Sequence, residues 1–258
     1  MSPTLHTLTV EAIVLRHIDM GEADRLLTLY TREAGKLRAM AKGVRKMKSR
    51  KAGHLEPFTR VRLQLARGRD FWIVTQAETV DAYLPLREDL LRTAYGAYAM
   101  ELLDRFSFDE EENRALYQQS VEVMERITSL DDPFLAVRFY ELRLLDLVGF
   151  RPQLFRCVSC QKPIQPEDQF FDASQGGVIC PRCAPRFATA REISKDALRF
   201  LRHLQRSPFT EALRAAPNAS QRAEMENTLR HYLTYLLERR LNSPGFLEEI
   251  RRGRQIGG

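Results

Sequence analysis

The sequence predicts an α+β protein, with a small five-stranded β-barrel at the N-terminus and a helical domain after it. Runs rich in β-branched residues and leucine fill roughly the first 83 residues, helical periodicity replaces them after Pro85, and all four cysteines lie within residues 157–183. A chain of 258 residues is long enough for two domains with separate cores. We therefore expect a barrel domain over 1–83 and a helical domain over 84–258, with a cysteine module inserted at about 151–190.

Five predicted strands account for the barrel. They are "EAIVLRHI", "RLLTLYT", "KLRAMAKGV", "RVRLQLA" and "FWIVTQAETV", with turns at "EAGK" and "RGRD". Val61, Leu63 and Leu65 share one face of the fourth strand, whereas Arg62 and Gln64 share the other. Five short strands, with a long basic connection between the third and the fourth, favour an OB-fold.

Helices are predicted from residue 86 onward. The apolar stripe of the first consists of Leu86, Leu90, Ala94, Ala97 and Leu102. The second covers residues 113–130, and the third begins near Asp131 or Asp132, before Pro133, and ends at Gly149.

Two further helices follow the cysteine segment. Ser194 is placed to cap "SKDALRFLRHL", and "RAEMENTLRHYLTYLLERRL" forms the last helix. The buried face of this last helix is predicted from the spacing of Leu229, Tyr232, Leu233 and Leu236. The tail "RRGRQIGG" is expected to be frayed.

The cysteines Cys157, Cys160, Cys180 and Cys183 have the spacing C-x2-C-x19-C-x2-C. Two such pairs can present four thiolates to one Zn²⁺ ion, and the segment "FFDASQGG" between them suits a short hairpin. Four sulfurs would close the coordination shell, so the spacing favours structural over catalytic zinc. Two disulfides and an iron–sulfur cluster are the less favoured alternatives.

Two questions about this module stay open at the level of sequence. In one interpretation the module only holds the insertion onto the helical domain. In the other it also contacts nucleic acid through the cations around it, which are Arg156, Lys162, Arg182 and Arg186. The segment "HLE" at 54–56 matches half of a nucleobase-deaminase signature, but no Pro directly precedes either C-x-x-C pair. We interpret that match as chance.

Positive charge is concentrated in one segment. Residues 36–69 contain twelve Lys or Arg and a single acid, Glu56, which makes the segment +11 while the whole chain is +6. Such asymmetry indicates a polyanionic partner, with affinity gained through release of counterions from nucleic acid. The candidate nucleic-acid-binding residues are Lys36, Arg38, Lys42, Arg45, Lys46, Lys48 and Arg50.

The third strand and the aromatic residues refine this candidate interface. Lys36, Arg38 and Met40 are expected on one face of that strand, and Leu37, Ala39 and Ala41 on the other. Bases could stack on some of the nearby rings, whereas at least half of these rings are expected in the core. The rings are Tyr30, Phe58, Phe71 and Trp72.

Several function classes lack their signatures. No apolar run approaches the ~20 residues of a membrane span, and the N-terminus lacks the pattern of a secretion signal, so we expect a cytoplasmic protein with no membrane partner. The chain has no P-loop, no G-x-G-x-x-G after a strand and no H-E-x-x-H, so we predict no enzymatic activity. The acidic run "DEEEN" at 109–113 is interpreted as a solvated helix start.

The segment "EAIVLRHIDMGEADRLLTLYTREAGKLRAMAKGVRKMKSR" resembles the N-terminal signature of the RecO family of bacterial recombination mediators. The later "YELRLLDLVGFRPQLFRCVSC" is similar to the helix that leads into the family's zinc site. The resemblance implies binding of single- and double-stranded DNA, annealing of complementary strands, and help in loading recombinase onto DNA coated with single-strand-binding protein. It also implies the partners RecR and single-strand-binding protein, a nucleoid-associated location, and Cys157, Cys160, Cys180 and Cys183 as ligands of a structural zinc ion.

Two other functions remain as alternatives. One is a zinc-dependent nucleic-acid enzyme, such as a nuclease or deaminase, and the other is an RNA-binding OB protein. Covalent change of a substrate would identify the first, and competition between single-stranded DNA and RNA would identify the second.

Overall fold

The computed structural model describes residues 7–237, which form two compact units, residues 7–130 and residues 131–237. The change from strand to helix lies at residues 82–83, close to the predicted boundary between the barrel and helical domains. The first unit nevertheless includes three helices as well as the barrel. The domain boundary at 83 itself stays a prediction.

The first unit contains the expected five-stranded barrel. Its strands are β1 (Thr7–Met20), β2 (Asp24–Thr31), β3 (Gly35–Ala41), β4 (Arg60–Arg67) and β5 (Trp72–Asp81). They close in the order β1-β2-β3-β5-β4, and β4 also pairs with β1. Every pairing is antiparallel except β3 with β5, which join in parallel only at Ala39 with Trp72 and at Met40 with Ile73. This is the OB-like barrel that the sequence predicts.

Alternation of side chains builds the barrel core. Val61, Leu63 and Leu65 are fully buried, whereas Arg62 and Gln64 between them are exposed, as their spacing predicts. In β3 the odd-numbered residues are buried and the even-numbered ones face outward to differing extents. The third strand ends at Ala41, three residues earlier than predicted, because the chain turns at Lys42.

Three helices complete the first unit: α1 (Leu84–Glu88), α2 (Leu90–Phe106) and α3 (Arg114–Ser129). The predicted single stripe is wrong at Leu90, which is 56% exposed. The helix breaks at Asp89, whose side chain accepts a hydrogen bond from the N–H of Arg92. Because of this break, the residues before Asp89 do not continue the helical periodicity of α2. Asn113 caps α3.

The second unit is built on α4 (Phe134–Leu147), which is buried along most of its length. Around it lie β6 (Gln169–Asp172), β7 (Gly177–Ile179), β8 (Arg191–Ile193), α5 (Lys195–Arg206), α6 (Phe209–Ala212) and α7 (Ala219–Leu236). The predicted aspartate cap of α4 is wrong, because Pro133 occupies the N-cap position. Asp132 instead accepts a hydrogen bond from the N–H of Phe134 at 3.1 Å.

The last two long helices largely follow the prediction. Ser194 caps α5, as expected, by accepting from the N–H of Ala197. On α7 the residues Leu229, Tyr232 and Leu233 are buried, and Leu236 is half-buried. The helix begins three residues before the predicted start, because Asn218 and Gln221 form a capping box. The predicted end of this helix and the tail 251–258 lie outside the described residues.

None of the helices within 7–237 combines the length and the apolar character that a membrane crossing requires. This finding concerns helices alone.

The acidic side chains of segment 109–112 are exposed and directly precede α3, as expected for a solvated helix start, while the backbone of the segment packs on the barrel. Asp109 forms a parallel bridge with Lys36 of β3, and the N–H of Glu110 donates to the carbonyl oxygen of Lys36 at 2.8 Å. Gly35 makes this approach possible: its φ is +62°, and a Cβ there would collide with the carbonyl oxygen of Glu111. The segment therefore acts as a short extra edge of β3.

We expect Gly35→Ala to lower the free energy of unfolding by about 1–3 kcal/mol, because it adds left-handed backbone strain and displaces the acidic segment. Urea unfolding monitored by the fluorescence of Trp72, the single tryptophan of the chain, measures this change. Gly53→Ala is the matched control, since a Cβ at Gly53 meets no atom within 4 Å. Equal losses in the two variants would contradict the packing argument.

Candidate nucleic-acid interface and metal centre

The basic connection between β3 and β4 is a loop of residues 42–59 that is anchored at both ends. Val44 and Leu55 are fully buried in the barrel core. The N–H of Gly43 donates to Oδ1 of Asp24 at 2.7 Å, which fixes the start of the loop to the hairpin of β1 and β2. The stretch between the two buried anchors is therefore held on the outside of the barrel.

Five of the seven predicted nucleic-acid-binding side chains are exposed and make no ion pair with any described residue. They are Arg38, Lys42, Lys46, Lys48 and Arg50. Met47, in the middle of the loop, is also fully exposed. Cations that form no ion pair repel one another along the loop, and a phosphate backbone would relieve that repulsion.

The other two predicted residues are held by neighbours in the same unit. Nζ of Lys36 lies 3.3 Å from Oδ1 of Asp104 and donates to the carbonyl oxygen of Asp104 at 2.7 Å. Nε of Arg45 lies 3.4 Å from Oδ2 of Asp19, and its Nη1 donates to the carbonyl oxygen of Gly21 at 3.2 Å. The direct contact of all seven residues with nucleic acid remains a prediction.

The four aromatic residues near these strands differ in environment. Tyr30 is a core residue whose ring stacks on Tyr117 with centroids 6.4 Å apart, and burial raises its pKa to about 12. Phe58 is half-buried and holds the end of the basic loop, since its N–H donates to the carbonyl oxygen of Val14 at 2.7 Å. Phe71 and Trp72 are half-buried at a surface cleft.

The four cysteines of the second unit converge on one point. Their Sγ atoms all lie within 4.8 Å of one another, and Sγ of Cys160 is 3.9 Å from Sγ of Cys180. A tetrahedral zinc ion with Zn–S bonds of about 2.3 Å would set its sulfurs about 3.8 Å apart. The donor set and its spacing therefore fit a four-thiolate zinc site.

The surrounding backbone favours the thiolate form of Cys157, whereas burial raises the pKa of Cys180 to about 11. The two C-x-x-C pairs flank the antiparallel hairpin of β6 and β7, as predicted for two knuckles joined by a hairpin. Burial raises the pKa of Cys157, but backbone N–H groups of Cys160, Cys180 and Ser159 outweigh it and lower the pKa to about 6. Such N–H donors stabilise a thiolate, the form that binds a metal.

Ser159 and Arg186 act on the fourth ligand. A hydrogen bond from Ser159 and the guanidinium of Arg186 lower the pKa of Cys183, and Nη2 of Arg186 lies 3.1 Å from its sulfur. Arg186 was one of the cations considered for nucleic-acid contact, and here it faces the cysteine cluster. When bound, zinc would supply a structural cross-link between the two knuckles, held by Cys157, Cys160, Cys180 and Cys183.

Two family models together cover nearly the whole chain. The model described as "Recombination protein O N terminal" matches residues 2–83, and the one described as "Recombination protein O C terminal" matches residues 87–244. The chain belongs to the RecO family. The recognition made from the N-terminal signature and the cysteine segment is thereby confirmed.

Full-length relatives support the same conclusion. The DNA repair protein RecO of Roseiflexus sp. (strain RS-1) is 41% identical over 243 residues, which are 93% of this chain and 85% of the relative. The DNA repair protein RecO of Pelotomaculum thermopropionicum is 40% identical over 240 residues, 93% of each chain. That of Symbiobacterium thermophilum is 35% identical over 248 residues, 95% of this chain and 98% of the relative.

The half-match to a deaminase signature has a structural explanation in this RecO-family chain. Nδ1 of His54 lies 2.7 Å from Oγ1 of Thr79 on β5, and Glu56 accepts a hydrogen bond from Nη1 of Arg25 at 2.9 Å. Both side chains thus hold the basic loop against the barrel. In the described part of the chain, the four cysteines are the one group of three or more potential ligands that converges on a point.

Sequence reasoning missed the acidic residues that neutralise part of the barrel. Asp104 has no role in the sequence analysis, yet it pairs with Lys36 and, through Oδ2, with Nε of Arg16 at 3.3 Å. Glu11 was read only as a strand residue, although its Oε1 accepts from Nε of Arg60 at 2.7 Å. No local signal reveals such partners, because each pair joins distant segments.

We expect one zinc ion per purified chain, and we expect Cys157→Ser to lose it together with much of the stability of the second unit. Native mass spectrometry counts the metal, and thermal unfolding measures the stability. Lys162→Gln is the matched control, because Lys162 is exposed beside the ligands and supplies no sulfur. A wild-type chain that takes up no zinc while its four thiols stay reduced would contradict the assignment.

Proposed function

We propose that this chain is a DNA-binding recombination mediator that anneals complementary single strands during recombinational repair. Its membership of the RecO family and the relatives named DNA repair protein RecO support a role in repair. The single observation that carries the annealing activity is the row of five exposed cations without ion pairs along β3 and the basic loop. The alternatives, a zinc-dependent enzyme and an RNA-binding protein, have no comparable support.

Annealing requires no bond chemistry. Two strands of like charge must be neutralised and held together while their bases pair, and a cationic surface does this by releasing counterions from both strands. The anchored loop supports this proposal, since Val44 and Leu55 hold its two ends in the barrel core and the cations between them lie outside the barrel. We therefore propose no nucleophile, general base or nucleotide cofactor.

The protein partners that we propose are inferred from the resemblance to the RecO family. RecO-family resemblance implies cooperation with RecR and with single-strand-binding protein, so that recombinase is loaded onto coated DNA. We propose that the zinc ion acts only as a structural cross-link in the second unit. A closed four-thiolate shell supports this role, because it leaves no coordination position for a substrate.

The test is a fluorescence energy transfer assay in which complementary labelled oligonucleotides are mixed with the protein, without nucleotide or added divalent metal. We expect the protein to accelerate pairing. We expect a variant with Lys46→Glu, Lys48→Glu and Arg50→Glu to lose this acceleration and to lower the salt-dependence slope of DNA binding by about 3, one for each lost phosphate contact. Arg45 is left unchanged, because it has structural partners at Asp19 and Gly21.

The matched control reverses three exposed cations of the second unit, by Arg191→Glu, Lys195→Glu and Arg214→Glu, so that the net charge changes equally. This control should anneal like the wild type. Equal loss in both variants would mean that net charge, and not the loop, is responsible. Tight binding without acceleration, together with competition by RNA, would favour the RNA-binding alternative, and cleaved or altered strands would show an enzyme.

A further inference from the structure

A cleft of about 380 Å³ opens on the first unit beside β3. Its walls are β3, the turn between β4 and β5, and the acidic segment 109–112. The residues that line it include Lys36, Arg38, Arg67, Trp72, Asp109 and Glu110. A cavity of this size is at the lower end of the range for small-molecule sites.

The cleft exists because β3 has different neighbours at its two ends. β5 pairs with β3 only at Ala39 and Met40, and Asp109 bridges to β3 at Lys36. Between these pairings, the edge of β3 near Arg38 faces the cleft. In OB-folds the face of strands 2 and 3, with the loop between strands 4 and 5, is where oligonucleotides bind.

An aromatic ring and a guanidinium provide one wall. Trp72 packs partly on the barrel core, and Cζ of Arg67 lies 5.0 Å from the centroid of its ring. The side chain of Arg67 is 58% exposed, and its acidic neighbour Glu110 is 3.9 Å away, which makes a weak, solvent-screened ion pair. Arg67 can therefore move aside or lie over a flat ligand stacked on the indole.

The charges of the lining suit a neutral ligand better than a phosphate. Three cations, Lys36, Arg38 and Arg67, face three carboxylates, Asp70, Asp109 and Glu110. Lys36 is already paired with Asp104. The carboxylates would repel a phosphate, but they can accept hydrogen bonds from amino groups.

We propose that this cleft is a subsite for one unpaired nucleobase of single-stranded DNA. The base stacks on Trp72 beside Arg67, and its exocyclic amino group donates a hydrogen bond to the carboxylate of Asp109 or Glu110. The proposal rests on the DNA-binding function proposed above. A paired base cannot enter, because both of its faces are stacked inside the duplex. The subsite therefore separates single strands from duplex, while the basic loop binds the phosphates of either.

The tryptophan itself is the probe, since the chain contains only one. Full-length protein is titrated with twelve-nucleotide oligomers of deoxycytidine, of deoxythymidine, and with a mixed-sequence duplex of equal length. We expect the two single strands to quench Trp72 fluorescence and the duplex to leave it unchanged. Deoxycytidine should bind more tightly than deoxythymidine, which has a carbonyl in place of the amino group, and Asp109→Asn with Glu110→Gln should remove that preference.

Variants test the stacking independently of fluorescence. With labelled oligomers and anisotropy, Trp72→Leu should weaken single-strand binding about tenfold and leave duplex binding unchanged. Trp72→Phe, which keeps a ring, should stay close to wild type and also excludes a folding defect. Phe150→Leu is the control for Trp72→Leu, because it removes an exposed ring that does not line the cleft. Arg62→Gln is the control for Arg67→Gln, because both are exposed arginines of β4 with one weak acidic neighbour.

Different results of these experiments would contradict the proposed subsite and the DNA-binding function on which it rests. Binding of DNA with unchanged Trp72 fluorescence, and equal affinity of Trp72→Leu and wild type, would overturn the subsite alone. Equal quenching by duplex and single strand, or equal affinity for deoxycytidine and deoxythymidine, would overturn its selectivity. Absence of any DNA binding in the anisotropy assay would overturn the proposed function as well.

Discussion

The closure of the barrel between β3 and β5 is the constraint on which the first unit depends. Only Ala39 and Met40 pair across this seam, in parallel, while the other strand pairs are long and antiparallel. Because β5 pairs between β3 and β4, these consecutive strands are not neighbours and cannot be joined by a tight hairpin, so the chain needs extra length between them. That length is the basic loop, and the short seam leaves the cleft beside the N-terminal half of β3. Both candidate DNA-contacting features thus follow from one pairing.

Charge in the first unit is divided between structural and available cations. Lys36, Arg45 and Arg60 have acidic partners from distant segments, whereas Lys46, Lys48 and Arg50 of the basic loop form no ion pair with any described residue. Partly buried ion pairs hold side chains in place, and unpaired cations keep their full attraction for phosphate. A single basic segment therefore contributes to two functions, holding helices against the barrel and presenting a polycation.

The second unit depends on local chemistry. Four thiols meet within 4.8 Å, backbone N–H groups of the knuckles donate to the sulfur of Cys157, and the guanidinium of Arg186 donates to that of Cys183. The strands of its sheet are only three or four residues long, so the sheet buries little apolar surface. A metal cross-link would supply the missing stability. The cysteine cluster and the adjacent helix α4 together explain why so irregular a segment has a definite structure.

The sequence by itself determined the strands, most of the buried faces, the cap at Ser194 and the four-cysteine cluster, because period, capping and C-x-x-C spacing are local properties. It also indicated the family, which two matching models confirm. Only the tertiary structure decided that Asp104 pairs with Lys36, that Tyr30 is a core residue, and that the acidic segment 109–112 lies on β3 across from Gly35. Those contacts join residues about 70 or more positions apart, and no periodicity in the sequence encodes which distant partner a side chain meets.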